Sequence, residues 1–166
     1  MAAFIHSPTD LFFDQMKDLR SMTSQLSGHL PALVAATTDD GLRALLGDYS
    51  QGVVLHHEEI MDLFRRHDRE PGSDKCKAIA GLIEGGNAHI ASVADPGTRD
   101  LMIIAHVLRV FAYGDAACEI TSRLAGQLGL AGDAGVLLGM QQAAQRAAED
   151  LLALQPPVFQ TASGPS

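Results

Sequence analysis

The sequence predicts an all-α protein, a single domain of antiparallel helices. Three observations carry this. Hydrophobic residues make up 46% of the 166 positions, so most of the chain can build a core. Aromatics are only 5% and there is no Trp, leaving Ala and Leu to do the packing, a helical rather than a sheet composition. Five segments show helical periodicity between capping signals, and no run of alternating apolar and polar residues suggests a strand.

The first helix opens at Ser7-Pro8-Thr9-Asp10, with Ser7 as N-cap, Pro8 in the first turn and Asp10 facing the positive helix end. Leu11, Phe12, Met16, Leu19 and Met22 follow at helical spacing, and the helix runs to about Ser27, with a kink at Pro31 through which it can continue. Thr38-Asp39-Asp40 opens the second helix, whose face carries Leu42, Leu45, Leu46, Val53, His57, Ile60 and Phe64, and which ends near His67 before Pro71 and Gly72. A third begins near Ser73-Asp74, with Gly85-Gly86 as a weak or bent point. The fourth is long, from Asp95-Pro96 to Leu128, closed by Gly129. The fifth starts at Asp133 and reaches about Leu154, where Pro156-Pro157 should stop it. The domain is thus placed at residues 1–155, with residues 156–166 as a flexible C-terminal tail. The short connections imply antiparallel neighbours.

Charge and motifs exclude several function classes. Twelve basic against 20 acidic residues give a net charge of -8, which repels a phosphate backbone and disfavours anionic membranes. No apolar run is long enough for a membrane span, and the N-terminus lacks a signal-peptide pattern. The two cysteines, Cys76 and Cys118, lack metal or redox spacing, in keeping with a reduced, cytoplasmic setting. Neither a Gly-rich phosphate loop nor a G-x-S-x-G nucleophile elbow is present. Gly135, Gly139, Ala143 and Ala147 form an i, i+4 stripe of small residues, suited either to close packing within the chain or to a homodimer seam.

Several segments resemble one family. They are L-F-F-D-Q-M-K-D-L at 11–19, K-C-K-A-I-A-G-L-I at 75–83, T-R-D-L-M-I-I-A at 98–105, R-V-F-A-Y-G-D-A-A at 109–117 and L-A-G-Q-L-G at 124–129. Their order and spacing are similar to the YciE/YciF-type ferritin-like family of bacterial stress-associated proteins, over residues 9–155. The resemblance implies a ferritin-like antiparallel four-helix bundle with an additional shorter helix, often dimeric. In typical members it also implies a di-iron or related centre, held by carboxylates and histidines from facing helices.

Position by position, that ligand set is missing. The family's first-helix glutamate falls at Thr23, and its second-helix acidic position at Gly52, beside Val53. The fourth-helix E-H-Y-E signature falls on Phe111, Ala112, Tyr113 and Gly114, and the paired glutamates of the fifth helix on Ala144 and Gln145. Only Glu149 keeps an acidic group where the family has one. Burying carboxylates without a cation costs several kcal/mol each, so their joint replacement is consistent with a core repacked without metal.

These residues predict a non-catalytic, stress-associated structural or binding module, without cofactor. Two alternatives stand beside it. One is a metal-binding oxidoreductase or iron-handling protein with a relocated site built from His56, Glu59 and Glu149, taking iron or manganese, with His106 or Asp115 as further donors. The other is a small-molecule binder using the vacated bundle core. For His56, His57, His89 and His106 the competing reading is structural. Asp115 is either a functional acid or the partner of Arg109 or Arg123. Cys118 reads as an inert core residue, and Cys76 as a packed or mildly reactive thiol at a helix start. Tyr113 is either a relic of the family's site or a core residue with its hydroxyl satisfied.

Overall fold

The computed structural model describes residues 4–162. Five helices occupy nearly all of them: α1 (Pro8–Ala36), α2 (Asp40–Arg66), α3 (Lys77–Ala91), α4 (Pro96–Gln127) and α5 (Ala131–Thr161). No strand occurs among the described residues.

Three of the starts are set by side-chain caps read from the sequence. Ser7 accepts from the Asp10 N–H, Asp39 from the Leu42 N–H and Asp95 from the Thr98 N–H, each satisfying a donor that the helix itself leaves open. Gly129, at φ 77°, closes α4 in a conformation that disfavours other residues, while the Leu130 N–H turns back to the Ala125 carbonyl.

The bundle is a closed ring of α1, α2, α5 and α4, each packed on the next, with α3 laid outside on α4 and α1. Contacts between helix ends fix the directions. Asp100 at the start of α4 meets Thr38 beyond the end of α1, and His67 at the end of α2 meets Asp133 at the start of α5. Neighbouring helices in the ring are therefore antiparallel, and α3 carries the chain back along the bundle between α2 and α4. Phe12, Met16, Leu19, Leu46, Ile60, Phe64, Ile79, Phe111 and Leu137 are among the side chains almost fully removed from water in the core. α4 is long and apolar enough to cross a membrane by length and composition, but much of its apolar surface faces α1, α3 and α5.

Element boundaries differ from expectation in two places, and α1 takes the longer of its two expected extents. α1 runs without interruption past Ser27 and Pro31 to Ala36: the Pro31 ring is exposed, and Leu30 and Leu33 on either side are buried. α3 starts at Lys77, after the expected Ser73-Asp74, because α1 holds the approach extended. Arg20 donates to the Asp74 carbonyl at 2.7 Å, and Ser21 Oγ accepts the Cys76 N–H at 2.7 Å. α5 starts before Asp133 and passes through Pro156-Pro157 to Thr161, so the flexible tail expected from residue 156 is helical at least that far. Val158, fully buried, anchors the last turns against the loss of two backbone donors. Residues 163–166 of the expected tail lie outside the described ones.

α3 runs uninterrupted through Gly85-Gly86. Gly86 is where α3 lies directly on α4: a Cβ there would stand 2.1 Å from His106 Nδ1.

Candidate functional site

At mid-height, all four ring helices converge on a cavity of about 20 Å³, room for little more than one water-sized occupant. α1 contributes Leu19, Met22, Thr23 and Leu26; α2 contributes Tyr49, Val53, His56 and Ile60; α4 contributes Gly114 and Cys118; α5 contributes Met140 and Ala144. Thr23, Gly114 and Ala144 are three of the positions where the family resemblance puts metal ligands, and none of the lining residues carries a carboxylate. Phe111 is buried in the same layer of α4, its ring edge-on to Tyr49 at 4.4 Å. The layer where the resemblance expects long acidic side chains is lined by aromatic, aliphatic and sulfur-bearing ones. The enclosed space is too small for an organic ligand, so a small molecule at this level would have to occupy the adjoining groove lined by Tyr49, Gly52 and His56.

The polar groups around the cavity are few. Thr23 Oγ1 donates within its own helix toward the Leu19 carbonyl (3.0 Å) and pairs with His57 Nδ1 at 2.9 Å, tying α1 to α2. Burial pushes the Cys118 thiol up to about 12, with a further contribution from the Asp115 carboxylate, so without a metal partner the group carries its proton. Burial also raises Tyr49. His56 is half-buried, and its pKa is lowered by burial, opposed by the nearby Glu59 carboxylate.

His56, Tyr49 and Gly52 also line a groove of about 640 Å³ between α2 and α5, whose far wall includes Ala143, Arg146, Ala147 and Asp150. The groove is open to solvent, and the cavity lies behind it.

The candidate metal set is placed as follows. His56 faces the cavity and groove, whereas Glu59 and Glu149 are exposed on α2 and α5. Among the described residues no group of three or more His, Cys, Asp or Glu side chains is arranged to hold a metal ion, so the three are not assembled into a ligand set. A carboxylate-bridged centre of iron or manganese does not fit the residues present.

Asp115 takes neither proposed partner. Its Oδ1 accepts from Gln141 at 2.9 Å and Gln145 at 2.8 Å on α5, while Arg123 pairs with Glu119 on its own helix. Neutral amides reach this half-buried carboxylate across the α4–α5 seam; Arg123 is held one turn away. Tyr113 OH lies 3.1 Å from Cys76 Sγ, with the Tyr hydroxyl pKa raised by burial first and by that contact second.

Two constellations were not visible in the sequence. His29 and His106, buried on α1 and α4, meet Nε2 to Nε2 at 3.0 Å. One ring must donate and the other accept, so at least one is not an imidazolium. Burial lowers the pKa of both, and His106 is pushed down to about 4 by burial, then by His29, Arg109 and His89. Asp100, only 1% exposed, accepts from the Thr38 N–H, the Thr38 hydroxyl (2.5 Å) and the Asp39 N–H (2.8 Å), capping the start of α2 from across the bundle. His89 is exposed.

The small-residue stripe of α5 is not used for packing within the chain at Gly135 and Gly139. Both are exposed, and a Cβ at either would meet nothing within 4 Å.

Comparison with known proteins agrees with this geometry. Residues 7–163 match the family described as "Domain of unknown function (DUF892)". Protein YciF of Escherichia coli (strain K12) is 32% identical over 128 residues, covering 72% of this chain and 73% of that protein. The crystal structure described as that of the E. coli stress protein YciF superimposes with a TM-score of 0.90 at 25% identity, over 95% of this chain and 99% of the other. A protein described as "YcfI, a putative structural protein from Rhodopseudomonas palustris" superimposes with a TM-score of 0.87 at 22% identity, over 91% and 96%.

Proposed function

This chain belongs to the DUF892 family and is a YciF-like helical protein, and on that premise we propose that it is a non-catalytic member: a stress-associated structural or binding module, cytoplasmic and homodimeric, without a carboxylate-ligated di-metal centre. The observation that carries this reading is the central cavity. Where four helices converge, the lining offers Thr23, Gly114 and Ala144 and no carboxylate. Two divalent or trivalent ions need several anionic oxygens to offset their burial, and this layer supplies none. The stress association rests on the description of the E. coli relative.

The dimer reading is supported by Gly135 and Gly139, which leave a flat, uncovered strip on α5 where a second helix could approach closely. A relocated iron or manganese site has less support, because Glu59 and Glu149 are exposed and do not join His56.

The test is anaerobic addition of Fe(II) or Mn(II) to the purified chain during thermal unfolding, followed by admission of oxygen to the iron sample. A protein without the centre shows no upward shift in Tm and no accelerated Fe(II) oxidation, whereas a ligand bound to the native state would raise Tm with its concentration. A saturable rise in Tm, or catalysed oxidation abolished by His56→Ala, would overturn the proposal. Light scattering tests the dimer: Gly139→Leu should shift wild-type dimer to monomer, and a monomeric wild-type chain would remove that part.

A further inference from the structure

We propose that the central cavity is a site for a single soft monovalent cation, Cu(I), held by Met22, His56, Cys118 and Met140. Each of the four ring helices contributes one of these side chains, and all four border the same space. Three present sulfur, the donor type that selects Cu(I) over hard ions, and imidazole is compatible with it. Met22 Sδ is directed at the wall left open by Gly114: a Cβ there would lie 3.6 Å from the sulfur. Cys118, Met22 and Met140 are almost completely buried, at 3%, 7% and 4% exposure, so a bound ion would be shielded from water and oxygen.

Charge decides the oxidation state and the element. One cysteine supplies one negative charge on binding, and a monovalent ion cancels it, leaving a neutral centre in an apolar layer. A divalent ion on the same four donors would leave an uncompensated buried charge, which is strongly unfavourable. As the S–Cu bond forms, the thiol proton passes to the buffer and the ligand that carried the copper in is released. Copper stays in the +1 state, so no oxidant or reductant is needed. The cavity volume of about 20 Å³ suits one ion and excludes a second with its own ligands. The approach is also present: His56 borders both the cavity and the open groove between α2 and α5, beside Gly52, which has no side chain to obstruct it.

This deepens the reading of a binding module, and the two fail separately. Bound iron or manganese overturns the absence of a di-metal centre, whereas failure to hold copper overturns only the site proposed here.

The experiment titrates the reduced, full-length protein with Cu(I) under nitrogen against bicinchoninate, a chromophoric Cu(I) chelator. Wild type should withhold one equivalent per chain from the chelator. Cys118→Ala should lose that equivalent, and Met22→Leu and Met140→Leu should each hold it several-fold more weakly. Cys76→Ala should bind like wild type, since Cys76 lies outside the cavity. Circular dichroism establishes which variants are folded, and the methionine variants, close in volume to wild type, keep the test decisive if Cys118→Ala does not fold. The proposal is overturned if folded wild type withholds no copper, if folded Cys118→Ala withholds as much as wild type, if Cys76→Ala abolishes binding, or if both methionine variants bind unchanged.

Discussion

Asp100 and the central cavity treat the same chemical problem in opposite ways. At the end of the bundle the fold buries a carboxylate almost completely and surrounds it with the N–H groups of Thr38 and Asp39 and the Thr38 hydroxyl. In the centre no helix start brings open donors against α4. The backbone N–H groups there are engaged within helices and leave no open donors for a buried carboxylate. A carboxylate is kept at Asp100, where open backbone donors stabilise it, and none lines the cavity, where the backbone donors are engaged within helices. The difference explains why an acidic protein of this architecture can bury Asp100 and still have a centre of Thr, Gly, Ala, Met and Cys.

Placing a carboxylate in the centre attacks this contrast most directly. Gly114→Glu should destabilise the chain by about 4 kcal/mol in the absence of added metal, read from the urea midpoint, because the new charge has no partner in the cavity. An equal stability to wild type would mean that the centre supplies donors or solvent not seen in its lining. The reverse change comes next. Asp100→Ala should cost about 3 kcal/mol by leaving the Thr38 and Asp39 N–H groups without their acceptor, with amide exchange accelerated first at the start of α2. A loss below about 0.5 kcal/mol, the range of ordinary surface substitutions, would remove Asp100 as the anchor of that end.

A third expectation concerns the other buried ionisable pair, His29 and His106. Their folded pKa values lie below the ordinary 6.5, so the unfolded chain binds more protons once pH falls below that value. Stability from this source is therefore full above pH 6.5 and is lost as pH falls toward the folded value of about 4 for His106. Each pH unit in that window is worth about 1.4 kcal/mol per group, so His106 alone should lower stability by roughly 2 kcal/mol between pH 6.5 and 5. The double substitution His29→Leu with His106→Leu should flatten this slope; an unchanged slope would assign it elsewhere. The smallest effect is expected at the position that also gives the largest. Gly114→Ala should change stability by less than about 1 kcal/mol, since the added Cβ finds ordinary contact with Met22 and gains helix propensity. That pair of variants separates charge from volume in the centre.

Much of the fold was legible because its signals are local. Ser7, Asp39 and Asp95 announce their helices within three residues, and Gly129 closes α4 through its own φ. What was not legible depends on distant partners. Arg20 and Ser21 hold residues 74–76 extended and delay α3, and buried Val158 carries α5 through two prolines that local rules treat as a stop. The site divides in the same way. Thr23, Gly114 and Ala144 could be placed through the resemblance at the positions where it expects ligands, and the structure brings them to one cavity. The glutamine partners of Asp115 and the pairing of His29 with His106 join residues 26 or more apart, and neither these nor the meeting of Met22, Cys118 and Met140 at one cavity is encoded by any periodicity.

The central claim is that the middle of this bundle is not a carboxylate-ligated di-metal centre. Elemental analysis of the protein, expressed with iron and manganese supplied and purified without chelator, tests it most directly. Iron and manganese are expected well below one equivalent per chain. Two equivalents of either, retained through gel filtration, would contradict it.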